Sequence, residues 1–275
     1  GNNCGLLGKN AAVEVDGAAY WMSDNGFFRY TGQLQSMQCL VEDYVYDDLN
    51  TSSNQLVYCG INNLFGEITW FYCTSGSNVV DRSVTYSYLD STRDRPIWFT
   101  NASSIFPRTT WEDSSVFGLP HATQYDADTD TCGTVGNTDG ISIYYEHETG
   151  VNYIKGGTSF AVPASITSGD YDITQDQREG ISFRGDGEFI MRVSRIIPDF
   201  ITQTGNAIVQ LDLRDYPNDA ATSSPLGPFT LTPTTTKVDT RARARQIALT
   251  ISNTAVDSNW KLGTFRLDVH SGGRR

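Results

Sequence analysis

The residues whose type and spacing point most directly to chemistry are Arg241-Ala242-Arg243-Ala244-Arg245. On a strand, the two-residue period puts three guanidinia on one face and two alanines on the other. A guanidinium is a rigid fork of donors that matches carboxylate or phosphate oxygens. Three such groups in a row therefore suit docking on an acidic neighbouring subunit, or contact with DNA. The same pattern also suits the solvated face of an edge strand, which charges protect from edge-to-edge pairing. Both readings stand. Between the two functional ones, the chain's own charge favours an acidic protein neighbour. The net charge is −12, divided as about −15 over residues 1–200 and about +3 over residues 201–275. A strongly acidic body repels nucleic acid, which weakens a DNA-binding enzyme and suits the wall of a conduit that must not hold passing DNA.

Other chemistry-bearing residues are less pointed. Asp126-Ala127-Asp128-Thr129-Asp130 resembles the start of a calcium loop. An EF-hand needs Gly at the sixth position and Glu at the twelfth, where this chain has Thr131 and Asn137. It reads as a solvated acidic loop. His121, His147 and His270 have no zinc spacing, and neither a nucleophile elbow nor a phosphate-binding loop occurs. No cofactor or metal is expected. Acidic pairs such as Asp47-Asp48 and Glu112-Asp113 are compatible with a glycosidase, whose two carboxylates are joined by the fold, but nothing singles out a pair. Gly185-Asp186-Gly187-Glu188 reads as a tight turn. Five cysteines (Cys4, Cys39, Cys59, Cys73 and Cys132) lie at wide spacings without a C-x-x-C pair. They read as free thiols, with a cross-strand bridge between Cys59 and Cys73 left open.

The elements that position these residues are almost all strands. Tyr20-Trp21 and Phe27-Phe28 flank Asp24-Asn25-Gly26, a hairpin in which the aromatic runs face each other. Residues 39–50 are the helix candidate, with Leu40, Val41, Tyr44, Val45 and Leu49 on one face. Strands over 55–60, 67–73, 83–89 and 96–99 form an up-and-down sheet like a propeller blade. A similar tract follows residue 115. From 189 onward, long strands stopped by Pro198, around 207–213, over 241–251 and over 263–270 suggest a small antiparallel sheet. A Pro/Thr/Ser-rich loop spans 217–236. The expected fold is all-β, with propeller-like blades over 1–188, a C-terminal antiparallel sheet over 189–275, and one short helix near 39–50. No apolar run approaches 18 residues, so no membrane span is expected. The chain starts without Met, and a fragment or processed piece is expected.

Several blocks carry a resemblance. They are Ala19-Tyr20-Trp21-Met22, Phe27 to Gly32, Cys39 to Asn50, Glu67 to Tyr72, Arg243 to Leu249, Trp260 to Gly263, Arg266 to Val269 and Gly272 to Arg275. Together they are similar to tail hub or nozzle proteins of short-tailed bacteriophages, including the packaged-DNA-stabilisation type. The resemblance implies a propeller-bearing structural subunit with no catalytic residues. It implies a homo-oligomeric ring below the portal that contacts portal, adaptor and other tail proteins. DNA would pass through an acidic lumen during ejection, in a virion tail assembled in the host cytoplasm. The rival expectations are a carbohydrate-binding β domain contacting host glycans and a glycosidase.

Overall fold

The computed structural model describes residues 4–102, 106–126, 141–173, 189–216 and 225–273. The chain divides into two compact units, Gly1–Thr149 and Gly150–Arg275. Each is built of small antiparallel sheets. The loop motifs around Asp128 and Gly185, Cys132 and the C-terminal Arg274-Arg275 lie outside the described residues.

Unit 1 opens with the meander β1 (Ala12–Val15), β2 (Ala18–Ser23), β3 (Gly26–Tyr30) and β4 (Leu34–Met37). The Asp24-Asn25 turn closes β2 on β3, with Ser23 opposite Gly26 at φ 143°. Trp21 lies opposite Phe28 and stacks on it at 5.8 Å, whereas Tyr20 faces Arg29 and Met22 faces Phe27. The expected aromatic facing thus holds for one pair. The helix α1 (Glu42–Tyr46) is shorter than the expected span. It has no side-chain cap, and Asp47 and Asp48 lie at its C-terminal end, where negative charge opposes the helix dipole. Val45 and Leu49 are buried, but Leu40 and Tyr44 are exposed, so the anticipated apolar face is only half used. An unanticipated 3₁₀ helix follows over Thr51–Leu56, its start capped by Asn50 accepting from the Ser52 N–H at 3.0 Å.

The second meander is β5 (Tyr58–Asn62), β6 (Glu67–Tyr72), β7 (Arg82–Ser87) and β8 (Trp98–Asn101), in the expected up-and-down order. A three-stranded sheet follows from β9 (Thr110–Glu112), β10 (His121–Asp126) and β11 (Ile141–Glu146). Residues of the first two meanders share one aromatic core. Trp70 is fully buried and donates its indole N–H to the Ala11 carbonyl at 3.0 Å. Phe27 sits 4.9 Å from the Trp70 ring and 4.8 Å from that of Trp98. Rings of this size dominate core energetics, which is why strands this short hold together. Four-stranded meanders are the unit from which propeller blades are made, but among the described residues no sheet closes into a propeller or barrel.

Unit 2 contains β12 (Asn152–Lys155), β13 (Thr158–Ala161), β14 (Ala164–Thr167), β15 (Met191–Ile197), β16 (Phe200–Thr204), β17 (Ala207–Arg214), β18 (Leu226–Leu231), β19 (Val238–Ala244), β20 (Gln246–Asn253), β21 (Asn259–Leu262) and β22 (Arg266–Ser271). The expected single C-terminal sheet is instead three: β14-β20-β17-β18, β19-β15-β22 and the pair β16-β21, beside the hairpin β12-β13. The change of texture at 188/189 is not where the compact units divide. β14 pairs with β20 from Ala164↔Asn253 to Thr167↔Thr250, so residues well before 189 belong with the C-terminal strands. Arg241–Ile251, expected as one strand, breaks at Arg245 into β19 and β20. Alternation along β17 buries Ala207, Val209 and Leu211 against Ala242, Ala244, Ile247 and Ile251 in the second core.

Candidate functional site

β19 follows the two-residue period in its second half. Arg241 and Arg243 point outward and are exposed, while Ala242 and Ala244 are buried. Small side chains there let β19 approach the core closely. Arg245 departs from the pattern. It lies past the end of β19, half-buried, its N–H donating to the Arg214 carbonyl at 3.0 Å and its guanidinium 6.0 Å from the Tyr216 ring. The structure thus places Arg241 and Arg243 on one face, with Arg245 in a packed corner beside them.

The pairing of β19 with β15 and of β15 with β22 adds residues that the sequence pattern does not reveal. Arg243 lies opposite Arg192, and Arg192 lies opposite His270. All three are exposed. A basic row therefore runs across three strands, with Arg241 two residues along. Among the described residues, Arg192, Arg241 and Arg243 have no acidic partner. Like charges directly opposite on a sheet cost a few tenths of a kcal/mol.

The other end of the same face is neutralised. Arg195 reaches Asp239 at 2.8 Å and Asp268 at 3.5 Å, and Lys237 reaches Asp239 at 3.0 Å. The hydrogen bonds from Arg195 and then Lys237 hold the Asp239 carboxyl below its usual range. β19 is an edge strand, as the solvated-face reading requires. Edge protection, however, needs charge on the edge strand only, and Arg192 is on the central strand.

Unit 1 is the acidic counterpart, with six Lys/Arg against nineteen Asp/Glu over residues 1–149, a net −13. Several of its carboxylates are exposed, including Asp16, Asp43, Asp47 and Asp94. One member of each acidic pair named from the sequence has a local partner. Asp48 meets Arg82 at 3.2 Å and accepts from Ser75, and Asp113 accepts from the Asn63 N–H at 2.7 Å. The sequence did not single out Glu67 and Glu148. Desolvation, then Glu148 and Asp90, push the Glu67 carboxyl up, and Glu148 is raised by desolvation and by Asp113. Among the described residues, no three His, Cys, Asp or Glu side chains are arranged to hold a metal ion.

The three buried thiols, Cys39, Cys59 and Cys73, do not suit nucleophilic chemistry. Cys4, Cys39, Cys59 and Cys73 are all free, so the bridge left open between Cys59 and Cys73 is not formed. Cys59 lies in the main core of unit 1, while Cys73 packs in a separate cluster with Phe71 and Val80. Burial pushes Cys39 up to about 12 and Cys73 up to about 11, and Cys59 is raised well above its ordinary value. A thiol held protonated is a poor nucleophile.

No protein-family model matches this sequence, and no curated protein is significantly similar to it. The class defined by the structure is therefore broad: a mostly β protein of several small antiparallel sheets in two units. Among the described residues, no helix is long and apolar enough to cross a membrane.

Proposed function

We propose that this chain is a non-enzymatic structural subunit that associates head to tail, the outer face of β19-β15-β22 docking on the acidic surface of unit 1 in a second copy. The observation that carries the reading is the row Arg243–Arg192–His270, cross-strand neighbours without acidic partners among the described residues. A carboxylate-rich partner relieves the repulsion within the row. A face that meets a different patch on its partner makes a heterologous contact, which gives a ring when its rotation closes and a filament when it does not; the proposed assembly is the ring. Each exposed ion pair is worth only about 0–1 kcal/mol, so one contact is weak and salt-sensitive, and ring closure supplies the avidity. Taken with the resemblance of the sequence blocks, the assembly proposed is a tail nozzle or hub of a short-tailed bacteriophage. Its two four-stranded meanders act as blade-like elements, and its remaining acidic surface keeps exiting DNA from adhering.

The test is sedimentation analysis of the purified protein over a range of concentration and salt, alone and with neighbouring tail proteins. Self-association that weakens with salt, and that Arg192→Glu/Arg243→Glu lowers by about tenfold or more, is expected. A strict monomer at high concentration under all these conditions refutes the proposal.

A further inference from the structure

A cavity of about 430 Å³ opens in unit 1 between the β2-β3-β4 side of the first meander and the segment that leaves β7. It has no part in the docking face. Its walls combine two chemistries. Three phenols, Tyr20, Tyr86 and Tyr88, line it, with Tyr20 and Tyr86 largely buried and their ring centroids 6.3 Å apart. Two guanidinia, Arg29 from β3 and Arg93 from the loop after β7, also line it, Arg29 lying directly across the strand pair from Tyr20. The lining also includes Gln35 and Gln38, Ser36, Ser91 and Thr92.

The charge of this lining runs against its surroundings. Unit 1 carries six Lys/Arg and nineteen Asp/Glu, yet two of those six bases line the cavity and no carboxylate does. Neither Arg29 nor Arg93 forms an ion pair among the described residues. Arg29 is nevertheless held in place. Its Nε donates to Gln35 Oε1 at 2.7 Å, and it lies directly across the strand pair from Tyr20. A guanidinium has five N–H donors, so donors remain for a ligand. Asp94, in the same loop as Arg93, does not line the cavity.

We propose that this cavity binds an acidic sugar residue, a pyranose bearing a carboxylate, with Arg29 and Arg93 taking the carboxylate and the tyrosines taking the ring. The guanidinium fork matches a carboxylate edge. An aromatic wall accepts the apolar face of a pyranose, while the flanking amides and hydroxyls satisfy its ring hydroxyls. The volume lies in the range of small-ligand cavities and is far larger than a lone inorganic anion needs.

The experiment is isothermal titration calorimetry, with saturation-transfer NMR, on the full chain. The probes are glucuronate, N-acetylneuraminate, glucose, N-acetylglucosamine, acetate and sulfate. Saturable millimolar binding of at least one acidic sugar is expected, with no saturation by neutral sugars. Arg93→Gln and Arg29→Gln should each weaken it by about tenfold, the loss of one charge-assisted contact. Arg93 is exposed, so its substitution separates loss of binding from loss of fold, checked by an unchanged melting temperature. Neutral sugars binding as well as acidic ones, acetate or sulfate matching the acidic sugars, or no saturation by either acidic sugar would each overturn the proposal.

Discussion

Lowering the pH should destabilise unit 1 through one side chain, His147. Arg108, only 1% exposed, donates from Nε to His147 Nε2 at 2.9 Å and from Nη1 to Gln124 Oε1 at 2.7 Å, with its guanidinium 4.3 Å from the Tyr145 ring. The His147 ring also packs on Trp111 at 4.5 Å. An imidazole that accepts from a buried guanidinium must be neutral. Burial, then Arg108, then His121 lower its pKa from 6.5 to about 3. The unfolded chain therefore takes up a proton below pH 6.5 that the folded chain refuses until pH is near 3. Stability contributed by this site is present above pH 6.5 and is lost as pH falls through that window. Between pH 7 and pH 4.5 the loss is about 2.5 kcal/mol by linkage, at 1.36 kcal/mol per unit. His147→Gln keeps an acceptor for Arg108 but does not titrate. It should cost about 1 kcal/mol at pH 7 and become the more stable protein near pH 5. The assay is urea unfolding of both proteins in a Trp260→Phe background, where the remaining tryptophans, Trp21, Trp70, Trp98 and Trp111, all report on unit 1. Titration of the many surface carboxylates is common to both proteins and cancels. Parallel pH curves, with a constant gap between the two, would refute the argument.

Glu67→Gln should raise the melting temperature at pH 7, because the folded chain holds this carboxyl above its ordinary range and ionising it costs stability. The gain should disappear below about pH 4, where both states are protonated. Gly60→Ala should destabilise unit 1 by about 1–3 kcal/mol, since a methyl there would overlap the Trp111 ring, which is fixed by its indole N–H on the Ile61 carbonyl at 2.5 Å. Trp111→Ala in the same chain should absorb part of that cost, measurable as a coupling energy in a double-mutant cycle. Alkylation at neutral pH, followed by site-resolved mass spectrometry, should label Cys4 in the native protein but Cys39, Cys59 and Cys73 only after denaturation. Rapid native labelling of Cys59 would count against the packing of the unit 1 core.

Local patterns in the sequence carried over to the fold where one short segment decides the outcome. Asn25-Gly26 between aromatic runs gives the β2-β3 hairpin, and spaced aromatic strands give the β5 to β8 meander. What depends on distant pairing was not legible. β14 joins β20 across more than eighty residues, so the textural break at 188/189 does not coincide with the division after Thr149. The helix expected over 39–50 shrank to Glu42–Tyr46 because Asp48 is drawn to Arg82 and Ser75 instead of extending the turn. Of the candidate site, the alternation in Arg241-Ala242-Arg243-Ala244 was readable from period two, but the contributions of Arg192 and His270 were not. Each comes from a separate strand, and only register makes them neighbours. The cavity of unit 1 is the same case, joining Arg29 and Arg93 from segments that no local pattern connects.

The basic row and its neutralised neighbour are separated by a single irregularity, and its placement bears on whether the row is incidental. β15 reads Met191-Arg192-Val193-Ser194-Arg195-Ile196, and strict alternation from Met191 would turn Arg195 inward and Ile196 outward. The register instead shifts between Val193 and Arg195 toward both neighbouring strands, so that Val193 and Ile196 are both fully buried and Arg195 reaches the surface. The bulge thus serves the core and delivers Arg195 to Asp239 and Asp268 in one step. The face therefore has carboxylates within reach of a guanidinium where β15 brings one outward past the bulge. It has none within reach of Arg192 and Arg243 among the described residues, although a single Asp at position 241 or 270 would suffice. A sheet that neutralises one half of a face and leaves three basic side chains in register on the other is better matched to a carboxylate-bearing surface than to water. If water alone faced the row, Arg243→Asp should stabilise unit 2 by pairing with Arg192, at no cost to assembly. On the docking reading the same change stabilises the unit by a few tenths of a kcal/mol and weakens self-association, two effects of opposite consequence from one substitution.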